Sequence, residues 1–367
     1  MAQHHVIAIA GGGTGGHIYP ALAIGDAWRA AEPYAEVFFV GTHGGLETRL
    51  VPQRGYEIET VAGSRLVGGG PMARLRGLVS LLRGILAARR ILRRRRASLV
   101  VGTGGYASGA ALLAAWTLRL GTAVHESNAV PGFTNKVLGR LVRRVYLGFD
   151  AARSEFPQAR VQVVGNPVRA EIAALPAGRS RPDGRPWRVL IVGGSQGALF
   201  LNEQVPALLA GLAARGVELE IVHQVGKRDP GPVRDAYAAS GLDADVVPYI
   251  DAMADAWESA DLAITRAGSG TVSELAAAAL PALLVPFPYA AGDHQFHNAR
   301  AFAEAGAGLC VRQRDWDVAA LAERVHHELM GPERYGAAVA AAHALALPGA
   351  AAAVVSDCTS WMAGRWR

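Results

Sequence analysis

Residues 6–25 read VIAIAGGGTGGHIYPALAIG, and the change of character midway through this stretch decides the fold. Val6, Ile7, Ala8, Ile9 and Ala10 form an apolar run without alternation, the pattern of a strand buried on both faces. Over 18–28 the apolar residues recur at helical spacing, so 11–16 form a strand-to-helix turn. Glycines there let backbone N–H groups approach an anion, and the start of a helix adds partial positive charge. A tight turn with no ligand would leave the same glycines, so this stretch by itself keeps both readings open.

The pattern recurs along the chain. Apolar runs near 5–10, 37–41, 57–61, 98–102, 122–126 and 144–148 alternate with helical stretches. A second series opens at WRVLIVGG (187–194) and continues through ELEIVHQVG, DVVPYI, LAITRAG, ALLVPFP and GLCVRQ. Alternation of this kind predicts parallel sheets with helices on both faces. The fold class is therefore α/β, with two Rossmann-like, doubly wound domains facing across a cleft, since ligands bind beyond the carboxyl ends of such strands. We expect an N-terminal domain over 1–165, a Pro-, Gly- and Arg-rich linker over 166–186, a C-terminal domain over 187–345, and a final helix over 346–367 returning to the first domain.

Composition narrows the function. A chain of 367 residues, 51% hydrophobic and 19% charged, is globular and long enough for two cores. Two isolated cysteines, Cys310 and Cys358, offer no disulfide framework, and His294 and His297 lack a third ligand, so no metal site is expected. Neither a signal peptide nor a membrane span is apparent. The net charge of +6, almost all arginine, favours an anionic partner.

Gly11, Gly13 and Gly16 fit a G-x-G-x-x-G dinucleotide fingerprint, but the second strand ends in Gly41 and Thr42 where that fingerprint wants an acid. A third glycine turn, with Gly104, Gly105 and Tyr106, follows another buried strand and points to a large phosphorylated ligand. His125, Glu126 and Asn128 leave the next strand, either as helix caps or as groups facing the site. Ser269, Gly270 and Thr271 open a helix and offer amides and hydroxyls to a phosphate. Glu274 is placed to accept from a ribose diol, or else Thr271 and Glu274 make a capping box. The stretch 72–96 carries arginines and no acid; with Leu75, Leu78, Val79, Leu82, Ile85 and Leu86 it forms a helix with one apolar and one basic side, suited to an anionic membrane surface. Nucleic acid is disfavoured there, because no aromatics interleave the charges.

GGGTGGH (11–17), GTHGGLE (41–47), GTGGYASG (102–109), HESNAVPGFTN (125–135), VGNPVR (164–169), GGSQGA (193–198), TRAGSGTVSELAAAALP (265–281) and DHQFHNA (293–299) occur in this order. Together they resemble the bacterial peptidoglycan N-acetylglucosaminyltransferases of glycosyltransferase family 28. The resemblance implies a GT-B fold and an inverting hexosyltransferase. Its reaction would carry N-acetylglucosamine from UDP-N-acetylglucosamine to the 4-hydroxyl of the muramyl sugar of lipid I, giving lipid II for the cell wall. It implies a donor site of Thr14, Gly15, Gly16, Asn128, Arg169, Ser195, Ile250, Ser269, Gly270, Thr271, Val272, Ser273, Glu274 and Gln295. Gly13, Gly104, Gly105 and Tyr106 would bind the acceptor. His17 is the implied base, with Glu126 as runner-up. Leu75, Leu78, Val79, Leu82, Arg83, Ile85, Leu86, Arg89, Arg90 and Trp116 would form a peripheral patch on the cytoplasmic face of the inner membrane, against anionic lipids. No cofactor or metal is implied; cell-wall synthesis and division proteins are expected partners, and nucleic acid is not. Another GT-B enzyme, such as a glycolipid glycosyltransferase or a UDP-N-acetylglucosamine 2-epimerase, would share the donor motifs but not HESN or GTGGYASG.

Overall fold

The apolar runs 6–11, 99–104, 121–126 and 262–265 become strands that are buried on both faces. A computed structural model describes residues 5–62, 71–176, 178–194 and 197–365, without the side chains of 71–76, 78, 364 and 365. Ser195 therefore lies outside the described residues, as do the side chains of Leu75 and Leu78. The chain divides into two compact units, Met1–Arg169 with Leu347–Arg367, and Ala170–Ala346.

In the first unit the elements run β1 (Val6–Gly11), α1 (Gly15–Ala31), β2 (Glu36–Thr42), α2 (Glu47–Gln53), β3 (Glu57–Val61), α3 (Pro71–Arg94), β4 (Leu99–Gly104), α4 (Gly105–Thr117), β5 (Gly121–Glu126), α5 (Phe133–Gly139), β6 (Arg144–Leu147) and β7 (Val161–Val163). Among the described residues the strands form one seven-stranded sheet in the order β3-β2-β1-β4-β5-β6-β7. All pairings are parallel. β7 has three residues, VQV, too few to show a pattern in the sequence. Alternate residues of β1 feed opposite cores: Val6, Ala8 and Ala10 pack with α3 and α4, whereas Ile7 and Ile9 pack with Ile18, Leu22 and Trp28 of α1.

The second unit contains α6 (Ala170–Ala173), β8 (Trp187–Val192), α7 (Leu199–Ala213), β9 (Leu219–Gln224), α8 (Gly231–Ala239), β10 (Ala244–Val247), α9 (Met253–Ser259), β11 (Leu262–Thr265), α10 (Ser269–Ala277), β12 (Ala282–Leu284), α11 (His294–Glu304), β13 (Gly308–Cys310), α12 (Val318–Arg324) and α13 (Pro332–Ala344). Its parallel sheet of six strands has the order β10-β9-β8-β11-β12-β13. In both sheets the order reverses beside the first strand, so the switch points lie between β1 and β4 and between β8 and β11.

Two segments depend on long-range contacts. Residues 178–186, expected within a linker, are fastened to the second unit. Arg179 donates to the carbonyls of Trp257, Glu258, Ala260 and Ala278. Arg181 donates to Met330 O, and Arg185 forms a bidentate pair with the buried Asp261. The last helix, α14 (Ala350–Arg365), belongs to the first unit, where Val354, Val355, Cys358 and Trp361 join the core of α1. Its Asp357 accepts from Arg144 and from the Tyr146 hydroxyl.

Candidate active site

At the first switch point, the turn after β1 and the turn after β4 lean on each other. A Cβ on Gly105 would stand 2.7 Å from Gly12 O, and one on Gly104 would stand 2.6 Å from His17 Nδ1. Gly104 and Gly105 also have positive φ, 115° and 82° in that order, so glycine is required twice over. The Thr103 hydroxyl donates to His17 O at 2.8 Å and fixes the first turn of α1 against β4. Thr14 is the N-cap of α1, in extended conformation and without a side-chain capping bond, and Thr14 and Gly16 are exposed. His17, on that first turn, is partly exposed.

Gly13 was expected to offer its amide to the acceptor. Instead its N–H donates to Glu47 Oε2 at 2.9 Å, so that amide is committed inside the protein. Glu47 was not anticipated as a functional residue. It is fully buried and also accepts from the Thr42 N–H and hydroxyl. Burial alone would raise its carboxyl pKa, but hydrogen bonds from Thr42, Gly13 and its own amide outweigh burial and leave it below the ordinary value. The sequence signal was the cluster of Gly12, Gly41 and Gly45, where a Cβ would run into this side chain.

Near the end of β5, His125 is buried, and burial lowers its pKa against the opposing bond to Gly165 O. Glu126 is 2% exposed. Its Oε1 accepts from Asn128 N–H (2.8 Å) and Nδ2 (3.0 Å), and its Oε2 accepts from Gly132 N–H (3.1 Å) and Asn135 Nδ2 (2.9 Å). The carboxylate thus folds its own loop, and Asn128 is one of the groups it holds. Tyr106 exchanges a hydrogen bond with Ser80 and ties α4 to α3. Arg169 belongs to this unit and lies 5.7 Å from the Tyr19 ring centroid.

At the second switch point, α10 begins at Ser269 with Gly268 as N-cap and no side-chain capping bond. Thr271 is inside the helix, so the Thr271–Glu274 capping box does not form. Glu274 Oε2 instead accepts from Trp257 Nε1 at 3.1 Å, and the carboxylate remains partly exposed. Gly270, Thr271, Val272 and Ser273 make up the turn between the N-terminus and Glu274. Gln295, on the first turn of α11, accepts with Oε1 from Ala267 N–H (3.2 Å) and Phe287 N–H (2.9 Å), bridging the loops after β11 and β12. Its NH2 end is the end with donors to offer. Ile250, between β10 and α9, is partly exposed.

Arg266, one residue past β11, was also missed. Its Nη1 donates to Val285 O and Pro286 O, and among the described residues it has no carboxylate partner. Burial pushes its pKa down to about 10, which still leaves a cation at neutral pH. A charged residue directly after the buried run LAIT was the available signal.

The basic helix α3 divides in two. Val79, Leu82 (53% exposed) and Leu86 face outward, as does Trp116 (51%) at the end of α4, and Arg83, Arg90 and Arg93 are exposed. Ile85 packs partly on the core, and Arg89 donates to the Thr117 hydroxyl. Arg94 and Arg95, by contrast, pair with Glu59, Glu36 and Glu57 of the neighbouring strands. Among the described residues no helix is long and apolar enough to cross a membrane, and no cluster of His, Cys, Asp and Glu has metal-site geometry.

Residues 7–147 match the N-terminal domain, and 188–353 the C-terminal domain, of glycosyltransferase family 28. A protein of Acidithiobacillus ferrooxidans is 46% identical over 98% of both chains, and one of Myxococcus xanthus is 41% identical over 98% of this chain and 94% of its own. Both are named UDP-N-acetylglucosamine–N-acetylmuramyl-(pentapeptide) pyrophosphoryl-undecaprenol N-acetylglucosamine transferase. The crystal structure of Acinetobacter baumannii MurG superposes with a TM-score of 0.81 at 31% identity, covering 98% of this chain and 100% of that one. A UDP-N-acetylglucosamine 2-epimerase from Listeria monocytogenes shares the fold alone, at 16% identity and a TM-score of 0.67.

Proposed function

The chain belongs to glycosyltransferase family 28, and from that premise we propose that it transfers N-acetylglucosamine from UDP-N-acetylglucosamine to lipid I, forming lipid II. The observation that carries this reading is the 46% identity over 98% of the chain to an enzyme named for that transfer. The arrangement at both switch points supports it.

The acceptor's 4-hydroxyl must lose a proton as it attacks an oxocarbenium-like anomeric carbon from the side opposite the leaving UDP, which inverts that carbon. His17 takes this proton. It is partly exposed on a turn fixed by Thr103 and Gly104, whereas Glu126 is buried under four hydrogen bonds. The amides of Thr14, Gly15 and Gly16, which the family resemblance gave to the donor, are assigned here to the acceptor's diphosphate, because they follow Gly13 in the turn that carries His17, whereas the Glu274 site is carried by the other unit.

On the donor side, Glu274 accepts from the ribose diol while Trp257 holds its other face in place. The open amides of α10 and the Arg266 guanidinium offset the charge that develops on the leaving diphosphate, so the reaction needs no metal ion. Gln295 presents its NH2 to the sugar, and Ile250 borders the base.

The outward apolar residues of α3, Trp116, and the exposed Arg83, Arg90 and Arg93 hold the protein peripherally on an anionic cytoplasmic leaflet, where the lipid acceptor resides. The test is to incubate the protein with UDP-N-acetylglucosamine and a lipid I analogue in the presence of EDTA. Disaccharide product with stoichiometric UDP is expected. Consumption of the donor without the acceptor, or no disaccharide, overturns the reading.

A further inference from the structure

The first glycine turn is held from inside by an anion that is part of the protein. Glu47 is the first residue of α2 and is fully buried. Its Oε2 accepts from Gly13 N–H at 2.9 Å, and its Oε1 accepts from Thr42 N–H at 2.9 Å and from the Thr42 hydroxyl at 2.8 Å. A Cβ on Gly12 would stand 2.2 Å from the carboxyl carbon, and one on Gly45 would stand 2.3 Å from a carboxylate oxygen. Three backbone stretches, the β1–α1 turn, the end of β2 and the β2–α2 turn, therefore close over this one side chain.

Every partner of the carboxylate is a donor. A neutral amide of the same size would turn an NH2 group against a backbone N–H, so the site calls for a charge as well as a shape. Glycine-rich turns commonly aim successive amides at an anion. Here the Gly13 amide is satisfied by the built-in carboxylate. The exposed backbone after it leads directly to His17.

We propose that Glu47 is a positioning residue for the transfer, locking the turn 11–16 through Gly13 so that the acceptor-facing amides and the His17 imidazole keep a single geometry. The assignment rests on the function proposed above. It predicts a loss confined to the acceptor side, because the Glu274 site is carried by the other unit. Displacement of a reacting group by about 1 Å is enough to cost on the order of 10²-fold in rate.

The test compares wild type with Glu47→Gln, and with Glu47→Asp, which keeps the charge but withdraws it from Gly13. Three quantities are read: kcat/KM for a lipid I analogue, UDP binding by calorimetry, and hydrogen exchange of the Gly13 amide. In both variants we expect kcat/KM for the acceptor to fall roughly 10²-fold, UDP affinity to stay within about twofold, and the Gly13 amide to lose its protection. Unchanged acceptor kinetics, unchanged Gly13 exchange, or equal loss of UDP binding in a variant that folds overturns the assignment. Glu47→Asp supplies the answer if Glu47→Gln does not fold. A wild-type protein that makes no disaccharide would instead count against the proposed function, while the exchange measurement still reads the Gly13 bond without turnover.

Discussion

His17 and Glu126 show how two side chains in neighbouring motifs come to different work. His17 follows β1 and Glu126 ends β5, and by residue type each is able to accept a proton. Glu126 is enclosed by donors from Asn128, Gly132 and Asn135, so its negative charge is spent on shaping a loop. His17 sits on the first turn of α1 against Gly104 and is partly exposed. We expect His17→Ala to lower kcat by about 10²-fold or more with donor KM nearly unchanged, as for loss of a general base; steady-state kinetics with each substrate varied checks this. Glu274 differs in its surroundings, because Trp257 Nε1 donates to its Oε2 and the side chain is partly exposed. Glu274→Ala should weaken UDP-sugar binding by about 10-fold or more, the scale of a lost charge-assisted hydrogen bond, and calorimetry reads it directly. The residue types at these positions were visible in the sequence. Their partners were not, because Gly13 and Glu47, or Trp257 and Glu274, meet only once the chain has doubled back.

At the level of elements, α10 and α3 illustrate what periodicity does and does not contain. The start of α10 was legible from the glycines and serine after a buried run. The competing capping box failed because Gly268, and not Thr271, holds the N-cap position, which places Thr271 inside the first turn. For α3 the apolar and basic sides were legible, but the division of labour among its arginines was not. Arg94 and Arg95 at its end are paired with carboxylates of β2 and β3, while Arg83, Arg90 and Arg93 stay exposed. Replacing Arg83, Arg90 and Arg93 with glutamine should therefore reduce binding to anionic vesicles by about 1 kcal/mol per charge, measured by vesicle sedimentation at low salt. The same change at Arg94 and Arg95 should affect vesicle binding less and thermal stability more.

At the scale of the whole molecule, each unit buries a histidine in its neutral form among the described residues: His125 on β5 and His223 on β9. Burial lowers both pKa values, that of His223 from 6.5 to about 4. The unfolded chain binds protons first, so stability is complete above about pH 6.5 and declines as pH falls below it. For His223 the decline continues to about pH 4 and amounts to about 3 kcal/mol. Glu47 acts in the same direction at lower pH: its contribution is present above 4.5 and is lost as pH falls through its lowered folded value. Thermal melts between pH 7.5 and 4.5 should show a falling Tm, and His223→Gln should flatten that dependence for the second unit. The sequence by itself determined two α/β units, their glycine turns and the family motifs, because unbroken apolar runs, helical spacing and turn glycines are local features. The tertiary structure alone decided that 178–186 is fastened to the second unit and that Glu47 holds Gly13. Each of those outcomes needs two stretches far apart in the chain to meet, and a buried charge takes its role from whichever donors the fold brings to it.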